Sequence, residues 1–121
     1  MGAQRQIERR ILAQHQVIAE RLRADPTRVI GRAQANLARW AGRYSGRPPP
    51  QWMREWQSLL EGPVETVLQV LTGADEESVR LRSSSPFAGI LSAQERQNII
   101  ERVRDGTWTT DGFEDENLPL R

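Results

Sequence analysis

The residues that most restrict the fold of this chain are 25–46, Asp-Pro-Thr-Arg-Val-Ile-Gly-Arg-Ala-Gln-Ala-Asn-Leu-Ala-Arg-Trp-Ala-Gly-Arg-Tyr-Ser-Gly. Asp25 is placed to accept the free backbone N–H groups of a helix start, and Pro26 occupies the first helical position, where a missing N–H costs nothing. Ile30, Ala33, Leu37, Trp40 and Tyr44 then recur every three or four residues and share one helix face. Ser45-Gly46 ends the pattern, with Gly46 able to take the left-handed conformation of a C-cap. A helix with so wide an apolar stripe must bury it against other elements. Arg28, Arg32, Arg39 and Arg43 lie off that stripe and leave the outer surface positive.

The rest of the chain supplies more helices. Residues 3–24 carry Ile7, Ile11, Ile18 and Leu22 at helical spacing, widened by Leu12, Val17 and Ala19, with Gln14 and His15 where the stripe should continue. With residues 25–45 they form a basic helical hairpin over 3–45. Residues 46–50 end in Pro48-Pro49-Pro50, a stiff linker. Trp52, Trp56, Leu59 and Leu60 mark a third helix closed by Gly62-Pro63, and Val64, Val67, Leu68 and Leu71 a fourth that Gly73 ends. Asp75, Glu76 and Glu77 begin a short fifth helix, which Ser83-Ser84-Ser85-Pro86 stops. Ser92-Ala93-Gln94-Glu95 is a capping box opening a last helix that ends near Asp105-Gly106. The β-branched residues fall at helical spacing and do not alternate. The expectation is an all-α fold, a bundle of five to six helices spanning one domain, residues 1–106, followed by a flexible acidic tail, residues 107–121.

The near-neutral net charge of +1 hides a segregation. Residues 1–54 hold 11 arginines and three acids (Glu8, Glu20, Asp25), whereas residues 55–121 hold six arginines and 13 acids. Lysine is absent, so every basic residue is arginine. Such a split points to oppositely charged partners or to head-to-tail association of copies of the chain, a homo-oligomer. No apolar run is long enough for a membrane span, the N-terminal residues lack an apolar signal core, and there is no cysteine, which together place the chain in the cytoplasm.

Chemistry is poorly represented. His15 is the single histidine, with no carboxylate or nucleophile pattern beside it, and reads as a surface or helix-face residue. Asp75, Glu76 and Glu77 lack calcium-loop spacing, and the glycines are isolated and form no phosphate-cradling loop. The expectations are no enzyme, no metal and no cofactor. Trp40, Trp52 and Trp56 lie on helical stripes and read as core, with base stacking beside the arginines as the alternative. Trp108 lies off every stripe and reads as an interface residue.

The segments Asp25-Pro26-x-x-Val29-Ile30-x-x-Ala33-x-x-Asn36-Leu37-x-Arg39-Trp40, Trp56-x-x-Leu59-Leu60-x-Gly62-Pro63 and Leu81-Arg82-Ser83-Ser84-Ser85-Pro86-Phe87-Ala88-Gly89-Ile90-Leu91-x-x-x-Glu95-Arg96 together resemble a type of small bacterial protein, the antitoxin half of type II toxin–antitoxin pairs. The resemblance covers about residues 25–100 and implies a protein that binds and neutralises a cognate toxin and represses its own operon. The ribbon-helix-helix and swapped-hairpin DNA modules of many antitoxins are not found in the sequence. On this reading Trp108, Phe113, Glu114, Asp115, Glu116 and Leu118 cover the toxin's active site. Two alternatives stand beside it. Arg28, Arg32, Arg39 and Arg43 could bind nucleic acid, including operator DNA, or the chain could be a structural adaptor subunit.

Overall fold

The computed structural model describes residues 2–108. It is all-α: α1 (Gly2–Ala24), α2 (Pro26–Ala41), α3 (Gln51–Glu61), α4 (Val64–Thr72), α5 (Glu76–Arg82) and α6 (Ala93–Asp105), with a 3-10 turn, Gly42–Tyr44, extending α2. No strand occurs among the described residues.

The local signals act as the residue types dictate. The Asp25 carboxylate accepts the Arg28 N–H, and Pro26 opens α2. Asp75 caps α5 through the Ser78 N–H and is itself outside the helix. The Ser92–Glu95 capping box closes in both directions, and Gly106 ends α6 in the left-handed conformation at φ 80°. The α-helical bonding of α2 stops earlier than Ser45-Gly46: it tightens into the 3-10 turn after Ala41, and Gly46 takes positive φ beyond that turn.

Helix α1, more than α2, is the hub, contacting α2, α4, α5 and α6. At 100° per residue its buried positions, from Ala13 through Leu22, sweep roughly 220° of its circumference. Ala13 and Ala19 are wholly buried and let neighbouring helices approach closely. His15 and Gln16 are buried in the same arc. On α2 the inward face is Val29, Ala33, Asn36 and Leu37, whereas Ile30, Trp40 and Tyr44 are only half-buried, so the stripe is rotated from the one the apolar spacing marks. The rotation puts a polar residue, Asn36, in the core.

One core unites the described residues, with Trp56, Leu22, Leu37, Met53, Leu71, Val67 and Val103 among its most enclosed side chains. The loop 83–91 is fastened to it by polar contacts. Asn36 Nδ2 donates to the carbonyls of Pro86 (2.8 Å) and Ala88 (2.9 Å). The Trp56 indole N–H donates to the Leu81 carbonyl (3.0 Å), and its ring meets Phe87 edge-on at 5.6 Å. Arg82 is buried and its Nη1 bridges the carbonyls of Val70 and Gly73 at the end of α4 (2.8 and 2.7 Å). Arg21 of α1 donates to the Ile90 carbonyl and pairs with Glu95 of α6.

Two described residues beyond Gly106 also pack on the helices. Thr107 and Trp108 both donate backbone N–H groups to the Arg102 carbonyl. Trp108 is buried, its indole N–H donates to Gln16 Oε1 of α1 (3.1 Å), and the Arg102 guanidinium lies over its ring at 5.0 Å.

Asn36→Ala should strip the donors from two carbonyls in or beside the core, at a cost of about 2–4 kcal/mol in urea unfolding. Gln34→Ala, on the exposed side of the same helix, should stay within about 0.5 kcal/mol of the parent.

Candidate functional site

Helix α2 and loop 83–91 build the most distinctive surface. Arg28, Arg32, Arg39 and Arg43 are all exposed. Their spacings of four, seven and four place them within roughly 60° of one another around the helix, along roughly 22 Å of its length. None of the four guanidinium groups pairs with a carboxylate among the described residues. Residues 26–54 also include Arg47 and Arg54 and contain no acid. Gly31 and Gly42 lie between the arginines and face open space. The structure thus brings all four sequence-selected arginines onto a single stripe.

A cavity borders each end of the stripe. At the N-terminal end, Arg21, Arg28 and Arg32 line a space of about 460 Å³ against Gly89 and Ile90. Asp25 stands at that end, engaged in capping α2. Gly89 has φ +87°, and its missing Cβ makes room for the Arg32 guanidinium. At the C-terminal end, Trp40, Tyr44 and Trp52 form the walls of a 300 Å³ pocket, with Met53 behind them and Arg43 and the serines at 83–85 completing the lining. The Trp40 and Trp52 rings lie 6.5 Å apart, tilted by 60°, and Arg47 sits 5.6 Å over the Tyr44 ring. Of the three tryptophans read as core, only Trp56 is fully enclosed; Trp40 and Trp52 are half-buried and border this pocket.

Trp108 corrects an expectation. Its burial on α1 removes it from the interface residues, because its ring and its N–H are both used within the fold. Phe113, Glu114, Asp115, Glu116 and Leu118 lie outside the described residues. Ile7, at 46% exposure, is the one large apolar side chain among the described residues that is exposed, and it borders a cavity with Ile11 and Val79.

His15, read as a surface or helix-face residue, lies on the inward face of α1 and is 7% exposed, so the surface half of that reading is corrected. It borders a cavity with Arg82, Arg96 and Ser85. Its Nδ1–H donates to the Ile11 carbonyl at 2.7 Å, leaving Nε2 a buried acceptor with no partner. Nε2 is the atom that would take a proton from a serine, and it meets no hydroxyl in this geometry. Burial pushes the imidazole down from 6.5 to about 4, overcoming the opposing Ile11 hydrogen bond. The sequence signal for this placement was positional: His15 is four residues from Ile11 and three from Ile18, inside the helix stripe. Arg82 was not singled out, and a lone arginine between Leu81 and Ser83 carries no mark of burial. No group of three His, Asp or Glu side chains positioned for a metal occurs among the described residues. No helix among them is long and apolar enough to cross a membrane.

The chain matches no protein-family model, no curated protein and no solved structure.

The His15 environment predicts an acid dependence. The unfolded chain takes up the proton near pH 6.5 and the folded one near 4, so the stability is present above 6.5 and is lost as pH falls toward 4. Urea unfolding should show about 2 kcal/mol less stability at about pH 5 than at about pH 7, and His15→Gln should flatten that slope.

Proposed function

We propose that this chain is a non-catalytic, antitoxin-like protein that binds a cognate toxin and neutralises it by covering its active site. The observation that carries this reading is the convergence of the three segments on which the resemblance rests. Asn36 of the first holds the carbonyls of Pro86 and Ala88 in the third, and Trp56 of the second bonds Leu81 and packs on Phe87. Residues dispersed over the chain therefore belong to one structural unit whose exposed side carries the unpaired arginines. Such a unit is a stiff platform for a macromolecular partner, since its side-chain geometry is fixed before binding.

In this reading the acidic residues Glu114, Asp115 and Glu116, with Phe113 and Leu118, are the covering segment. Trp108, held on α1, is a fixed point in the fold just before that segment in the chain. Occlusion of a basic groove by acids would exclude the groove's own anionic substrate.

A second reading draws on the arginine stripe: a nucleic-acid-binding regulator using Arg28, Arg32, Arg39 and Arg43. Its support is that four aligned guanidinium groups have no carboxylate partner among the described residues, as phosphate contacts require.

Co-expression with the product of the neighbouring gene tests the first reading. The two proteins should co-purify, and deleting residues 109–121 should weaken inhibition at least tenfold, a shift of roughly 1.4 kcal/mol. The melting temperature should stay unchanged, because the described core closes at Trp108. Full inhibition by the truncated chain would take the tail out of the mechanism, and absence of a complex would end the antitoxin reading.

A further inference from the structure

We infer that the surface formed by α2 and loop 83–91 is a binding site for single-stranded nucleic acid, with phosphates along the arginine stripe and an unpaired base in the Trp40–Tyr44–Trp52 pocket. The inference rests on the second reading above and adds the strand type and the base site.

Three observations combine. The stripe is a linear array of four exposed arginines over roughly 22 Å, the form of surface that follows a phosphate backbone. The pocket at its end is walled by three half-buried aromatic side chains, and Arg43 belongs to both stripe and pocket. Ring faces accept any base by stacking, so such a pocket recognises an unpaired base without requiring a sequence. Finally, no carboxylate among the described residues lines the pocket, so a phosphate beside the base meets no repulsion from them.

An acidic peptide would satisfy the arginines and make no comparable use of the rings. A duplex would also satisfy the arginines, but its bases are stacked inside and out of reach of a notch between two indoles set at 60°. The pocket of about 300 Å³ is at the lower end of the range for small-molecule clefts, which suits one base and little more. The serines at 83–85 offer hydroxyl oxygens at its rim. They stand on a loop already held by Asn36 and Trp56, so the rim is in place before a ligand arrives.

The test uses the full chain and fluorescein-labelled dodecamers: oligo-U, oligo-dT, a mixed-sequence duplex of the same length and a poly-glutamate peptide. Anisotropy at about 50 mM salt should show one or both single strands binding at least tenfold tighter than duplex or poly-glutamate. Raising salt to about 200 mM should weaken single-strand binding roughly fifty-fold, the response expected for four phosphate contacts on a single strand. Trp40→Ala and Trp52→Ala should each cost roughly five- to hundred-fold on single strands and leave duplex binding unchanged, and that unchanged binding also reports that the variants are folded. Oligo-U or oligo-dT should quench the intrinsic tryptophan fluorescence of the unaltered protein, since Trp40 and Trp52 are its accessible indoles. Reversal of the four arginines to Glu should abolish all nucleic-acid binding. Equal or tighter binding of duplex or poly-glutamate, or unaltered single-strand binding by both tryptophan variants, would overturn the base pocket while the arginine stripe survives. No binding of any nucleic acid at about 50 mM salt would overturn the pocket and the second reading together.

Discussion

The architecture depends on one carboxamide. Asn36 sits in the middle of α2, facing inward among Val29, Ala33 and Leu37, and spends both N–H groups on backbone carbonyls of loop 83–91. A loop has no ladder to satisfy its polar groups, and those near a core must find partners elsewhere. Asn36 meets that need from a helix, and it makes loop 83–91 part of the rigid body. The loop then serves two neighbours: it supplies Phe87 to the core against Trp56, and it forms one bank of the surface that α2's arginines border. Without that clamp the stripe would be a charged helix face and nothing more.

Element type was readable in the chain because the stop and start residues are strong. Asp25-Pro26, Ser92 with Glu95, and Gly106 each determine a helix end locally, and each does so in the structure. Which faces turn inward was less readable. Apolar spacing on α2 marks Ile30, Trp40 and Tyr44, yet Val29 and Asn36 are the more buried, because a polar residue whose N–H groups are met by a distant loop looks like a solvent residue in one dimension. His15 and Gln16 hide for the same reason: each is buried with a polar contact, one local to Ile11 and one to Trp108 far along the chain. Trp108 stands outside every periodic pattern, and its burial follows from α1 having an arc wide enough to receive it.

The candidate surface was legible in part. Arginines spaced four, seven and four apart on a helix must align, whatever the helix packs against. The aromatic pocket was not legible, since Trp40 and Trp52 come from helices separated by the proline linker and their shared opening exists only once α3 folds back on α2. Charge segregation along the chain likewise does not survive intact in space: Arg21 reaches Glu95, and Arg80 pairs with Glu55 and Glu77 within the acidic half. Among the described residues of the basic half, the arginines left without a carboxylate are Arg5, Arg9 and Arg10 on α1, those of α2 and the turn that follows it, and Arg54 on α3.

The hydrogen bond between Trp108 and Gln16 joins residues 92 positions apart. Helix α1 precedes in the chain the surfaces that cover it, most of which belong to α4, α5, α6 and the Trp108 indole. During synthesis its greasy arc must therefore wait, uncovered, until nearly the whole described chain has emerged. A nascent chain of this design exposes that arc long enough to favour a holding chaperone, and closing contacts between residues so distant in sequence slows its folding.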